Sequence, residues 1–120
     1  MRIWFTKEVS GMYNDVNYEV NSVIAQIKQF WGNNASNIQI KQITDEPYNM
    51  FTLSFTLYGN KQVLAEYERS SLGFYVLLGG KYVGLSKLTN ESIFRGFDSY
   101  LSQENILHNF QALDKVLRTV

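Results

Sequence analysis

The chain has no cysteine and a single proline. Without cysteine there is neither a disulfide framework nor a thiolate site, which fits a reducing compartment. It also has no surplus of charge: eleven basic and eleven acidic residues cancel, so no overall field draws it onto nucleic acid or an anionic membrane. No stretch approaches the roughly 18 apolar residues of a membrane span. Met1 to Val9 interrupts its short apolar run with Arg2, Lys7 and Glu8, and so lacks the apolar core of a signal peptide. Internal repeats and low-complexity tracts are absent as well. These absences together lead to the expectation of a cytoplasmic protein with no membrane contact.

What is present points to a folded domain. The 120 residues suffice for one core and are too few for two, so residues 1–120 are read as a single α+β domain. A hydrophobic fraction of 45% and an aromatic fraction of 15% argue against disorder.

The clearest signal is Phe51 to Leu85. Phe51, Leu53, Phe55 and Leu57 alternate with Thr52, Ser54 and Thr56, the period-2 pattern of a strand with one apolar face. Val63, Ala65 and Tyr67 follow on alternate positions, then Phe74 to Leu78, Gly79-Gly80 and Lys81 to Leu85. This is an antiparallel meander, and parity constrains its registers, because a one-residue slip would move every side chain to the other face. A three-residue loop from Gly59 to Lys61 sets Leu57 opposite Val63 and Leu53 opposite Tyr67. A four-residue turn from Ser70 to Gly73 sets Tyr67 opposite Val76. Gly79-Gly80 suits a two-residue turn with positive φ values and brings Val76 to Val83 and Leu77 to Tyr82.

Before the meander, Arg2 to Thr6 is a predicted strand. Val16, Val20, Val23, Ile24, Ile27, Phe30 and Trp31 then recur every three or four residues, one stripe of a helix. Asn14 or Asp15 is placed to cap it and Gly32 to end it in a left-handed conformation. Ile38 and Ile40 begin a further strand, which Asp45-Glu46-Pro47 breaks. Beyond the meander, Leu88, Thr89 and Ile93 have the spacing of a capped helix start, with Phe94, Phe97 and Leu101 on its stripe. The phase slips near Ser102 to Asn105, and Ile106, Leu107, Phe110, Leu113, Val116 and Leu117 form the stripe of a last helix.

The expected fold is therefore α+β: a mostly antiparallel meander packed by one long N-terminal helix, followed by two C-terminal helices, in the order β-α-β-β-β-β-β-α-α. In element order this is similar to the helix-grip and cystatin-like layouts, in which one helix lies across a curved meander; no family motif accompanies the order.

No motif carries chemistry. Glu104 and His108 have helical spacing for two ligands or a base with its orienter, yet Glu104, His108, Gln111 and Lys115 lie off the apolar stripe as a solvated face would. Glu66 and Glu68 point to one side of a strand with no nucleophile or oxyanion hole beside them. Gly79-Gly80-Lys81 sits between strands rather than leading into a helix, so it is a turn and not a phosphate loop. Arg95 is read as solvated. No catalytic, cofactor or metal residues are assigned. Nucleic acid is disfavoured, since Glu66 and Glu68 share the surface whose tyrosines would have to stack on bases.

What stands out is the second face of the sheet. With the alternate set buried, Tyr58, Leu64, Tyr75, Leu77 and Tyr82 fall on the other side, too apolar to be simply wet. The sequence thus leads to a non-catalytic protein-interaction domain that binds a protein partner or self-associates as a homodimer through those five residues. A binder of a small apolar ligand between helix and sheet is the alternative, and a small enzyme without a recognisable motif the third reading.

Overall fold

A computed structural model describes residues 16–45, 48–68, 71–93 and 103–120. The described elements run α1 (Val16–Trp31), β1 (Ala35–Thr44), β2 (Met50–Leu57), β3 (Lys61–Glu68), β4 (Ser71–Leu78), β5 (Lys81–Gly84) and α2 (Gln103–Leu117), with short 3-10 turns at Gly32–Asn34 and Leu85–Lys87. The five strands form one antiparallel meander in the order β1-β2-β3-β4-β5. The architecture is α+β, as the alternation of hydrophobic periods predicts. The predicted strand at Arg2 to Thr6 and most of the predicted helix after Thr89 lie outside the described residues.

Within the meander the buried set follows the parity argument. Phe51, Leu53, Phe55 and Leu57 of β2 face the core with Val63, Ala65 and Tyr67 of β3, and Leu72, Phe74 and Val76 of β4. The registers are shifted by an even number of positions, so the face is kept while the partners change. β2 and β3 are linked through Tyr58-Gly59-Asn60, which pairs Leu57 with Lys61 and Phe55 with Val63. Tyr58 and Gly59 take φ of 54° and 80°, so the turn uses a tyrosine where glycine would be unstrained. Between β3 and β4, Glu68 pairs with Ser71 and Tyr67 with Leu72, so Ser71, Leu72 and Gly73 are strand rather than turn. The longer pairing carries Leu72 and Phe74 into the core. Gly79-Gly80 is the expected positive-φ turn, with Val76 opposite Val83 and Leu77 opposite Tyr82.

β1 starts three residues earlier than Ile38 and carries two register shifts, between Ser36 and Gln39 and between Ile40 and Gln42. Each inserts an extra residue, and Asn37 there has φ of 52°. Such bulges bend and twist an edge strand and blunt its tendency to pair with another chain. Leu85, predicted as the last strand residue, instead begins a 3-10 turn and is buried.

The core lies on one side of the sheet. Val16, Val20, Val23, Ile27 and Trp31 of α1 meet it from the β1–β2 side, and Ile106, Phe110, Leu113, Val116 and Leu117 of α2 enter the same cluster. Rings join the layers: Trp31 lies 4.7 Å from Phe110 and 6.1 Å from Phe55, and Phe110 lies 5.7 Å from Phe74. Two helices therefore share the face that element order assigned to one. Thr89 to Ile93 is not helical, although Thr89 Oγ1 accepts the expected type of bond from the Glu91 amide at 3.1 Å. This segment is pinned to α2 instead, by His108 Nε2 to the Ser92 carbonyl at 2.8 Å and Lys115 to Glu91 at 3.1 Å. That removes His108 and Lys115 from the purely solvated face assigned to them.

Candidate functional site

Because both helices lie on the core side, the opposite face of the sheet has no helix over it among the described residues. Register places its side chains in rows across the strands. One row reads Gln39, Ser54, Leu64, Tyr75, Gly84; the next, toward the β2–β3 turn, reads Ser36, Thr56, Gln62, with Leu77 and Tyr82 continuing it on β4 and β5. On the other side come Gln42, Thr52, Glu66 and Gly73, then Thr44, Met50, Glu68 and Ser71.

Four of the five residues expected on this surface are brought together. Leu64 and Tyr75 are direct cross-strand partners, as are Leu77 and Tyr82. Leu64, Tyr75 and Leu77 are half-buried, and Tyr82 is 44% exposed. Tyr75 lies beside Gly84, where a Cβ would stand 3.7 Å from its ring, an ordinary contact distance, so the ring lies over β5 without depending on the glycine. The fifth residue, Tyr58, is elsewhere. Its place in the β2–β3 turn sends its hydroxyl to α2, where it donates to Asp114 Oδ1 at 2.5 Å.

That contact belongs to a second cluster. Asp114 Oδ1 also accepts from Trp31 Nε1 at 3.0 Å, and Oδ2 accepts from Arg118 Nε at 3.0 Å. One carboxylate thus ties the end of α1, the β2–β3 turn and α2. Burial pushes the Asp114 carboxyl up, but the bonds from Tyr58, Trp31 and Arg118 outweigh it and hold it below the usual range. The same bond, helped by burial, pushes the Tyr58 phenol up. Lys61 Nζ reaches the Val120 carbonyl at 2.8 Å and secures the chain beyond α2. Both carboxylate oxygens are engaged by structural partners, so the cluster acts as a clamp between these elements.

The polar half of the outer face escapes a search for apolar residues. Asn37, Gln39 and Lys41 of β1, Ser54 and Thr56 of β2, Gln62 and Tyr82 line a shallow hollow of about 410 Å³. Thr56 Oγ1 donates to Gln62 Oε1 at 3.3 Å across the strands. The hydroxyl and amide alternation in β1 and β2 is legible in sequence; the bulge at Asn37 that turns it toward the hollow is not.

Comparison with known proteins returns no matching family model, curated protein or solved structure. Among the described residues no group of three or more His, Cys, Asp or Glu is placed to hold a metal ion. No described helix is long and apolar enough to cross a membrane. Glu66 and Glu68 lie on the outer face opposite Thr52 and Met50, and Arg95 lies outside the described residues.

Proposed function

We propose that the protein is a non-catalytic interaction domain that makes its contacts through the outer face of the sheet, with Leu64, Tyr75, Leu77 and Tyr82 as anchors. One observation carries the reading: α1 and α2 pack on the same side, so these four side chains form a continuous apolar patch that no described helix covers. An apolar centre bordered by Ser54, Thr56, Gln62 and Glu66 has the make-up of a protein interface, aromatic and aliphatic at its middle and polar at its rim. Tyr58 is withdrawn from the patch, being held by Asp114.

The geometry favours this over the apolar-ligand reading. Between α1 and the sheet, Val20, Val23 and Ile27 belong with Phe51, Leu53 and Phe55 to one cluster of fully buried side chains, which a ligand entering there would have to displace. The test is Leu77→Lys. It should keep the far-ultraviolet circular dichroism of the parent and lose association, whether with another copy or with a protein that co-purifies with the parent. A folded variant with unchanged associations would overturn the reading.

A further inference from the structure

We infer that the occupant of the outer face is a second copy of this chain, packed sheet to sheet about a two-fold axis that runs across the strands along the row Gln39, Ser54, Leu64, Tyr75, Gly84. The inference rests on the reading of that face as a contact surface and goes further by naming the partner and its orientation.

Size comes first. Strands about 4.8 Å apart and rows about 6.7 Å apart, four rows over β2–β4 and two reaching β5, give a face of roughly 600 Å² before side-chain relief, at the lower end of the roughly 600 to 1,000 Å² per partner of a standard stable interface. The face is also nearly free of charge: apart from Lys41, its charged residues in the described rows are Glu66 and Glu68, both at one end of β3. A neutral face with an apolar middle suits a permanent contact with a like surface better than a transient, charge-steered one.

The glutamates then choose the axis. Two sheets stacked face to face can be related by an axis along the strands or across them. An axis along β3 would set Glu66 on Glu66 and Glu68 on Glu68 of the other copy. It would also lay the polar β1–β2 half over the apolar β4–β5 half. Like charges opposed in a closed interface, with apolar groups against amides, disfavour that arrangement. An axis across the strands does the reverse. Leu64 meets Leu64 and Tyr75 meets Tyr75, each half of the sheet lies on its own counterpart, and the rows on either side exchange, so that Leu77 comes over Gly73. Gln62 of one copy then comes over Glu66 of the other, an amide donor for a carboxylate, and the two glutamate ends lie at opposite ends of the interface. The edges of β1 are bulged at Asn37 and near Lys41, which makes face-to-face stacking the readier route than edge pairing.

The absence of native cysteine makes the test direct. The full chain should sediment at twice its monomer mass, and Leu64→Lys should bring it to monomer mass with its fold retained. In otherwise unaltered protein, Tyr75→Cys should be joined to its copy by a short thiol-to-thiol cross-linker that spans the roughly 10 Å between stacked sheets, because the residue lies on the axis, while Glu66→Cys should not. A parent chain that stays monomeric at high concentration would overturn the second-copy inference. So would a dimer unmoved by Leu64→Lys, and cross-linking through Glu66→Cys alone would overturn the axis. The broader reading fails separately: a monomeric parent that loses a different protein on Leu77→Lys would keep the contact surface and discard the dimer.

Discussion

At the scale of single residues, two carboxyl groups pull stability in opposite directions with pH. Asp114 is held below the usual range although burial alone would raise it. A carboxyl lowered in the folded state adds stability above its unfolded pKa and loses that stability as pH falls through the folded one. Its side chain is only 14% exposed, so Asp114→Asn, which strips the charge from an acceptor of three bonds, should cost about 1.5 to 3 kcal/mol at neutral pH. In urea titrations that deficit should shrink toward acid pH; a constant deficit would contradict the clamp. Glu19 has the opposite sign. It is buried on α1 at 3% exposure, has no hydrogen-bond partner among the described residues, and burial raises its carboxyl. A raised carboxyl leaves the fold most stable below the unfolded pKa, and stability falls as pH rises through the folded one. Glu19→Gln should therefore raise the urea midpoint at neutral pH and match the parent in acid. A lower neutral midpoint would show that the charge is used. Neither group was legible in sequence, since Glu19 sits one residue from Val20 on a stripe read only for its apolar members, and Asp114 acquires its role from Tyr58 and Trp31 at distant positions.

At the scale of elements, the β2–β3 hairpin shows what alternation encodes and what it leaves open. The parity of Phe51 to Leu57 and of Val63 to Tyr67 assigned the core face correctly, because a one-residue slip would expose all of it. A two-residue slip exposes nothing, so parity alone could not choose between a loop at Gly59–Lys61 and one at Tyr58–Asn60. The observed loop is held by contacts far apart in sequence: Asp114 accepts from the Tyr58 hydroxyl while Tyr58 holds a positive φ, and the Tyr58 amide donates to the Asn34 carbonyl at 2.8 Å. The same ambiguity leaves Ser70 to Gly73 readable as a turn, since an even slip moves Ser71, Leu72 and Gly73 into the strand without changing its face. It follows that Tyr58→Phe should weaken the hairpin's hold on α2 by about 1 kcal/mol, read as a lower urea midpoint. A value equal to the parent would show the register to be fixed by the strands alone. Face assignment has a harsher test: Phe55→Ala should cost about 3 to 5 kcal/mol, since the ring is fully buried. Ser54→Ala, one position along on the outer face, should cost a small fraction of that. Comparable losses would reverse the faces of β2.

At the scale of the whole molecule, the two sides of the sheet are unlike: among the described residues both helices pack on one and neither on the other. The stripes of α1 and α2 were both legible, but a stripe states that a helix is covered and not which surface covers it. Aromatic packing of Trp31, Phe55, Phe74 and Phe110 brings both helices to one side, and the other side keeps Leu64, Tyr75, Leu77 and Tyr82. The neighbouring positions 76 and 77 separate these roles most directly, since Val76 is 1% exposed in the core while Leu77 faces outward. Lysine should be introduced at each in turn, with urea unfolding followed by circular dichroism and mass followed by sedimentation. Val76→Lys should bury an unpaired ammonium and abolish folding, whereas Leu77→Lys should fold with nearly the parent's midpoint and sediment without its partner. Unfolding of both variants, or a folded Leu77→Lys that keeps every association of the parent, would contradict the account.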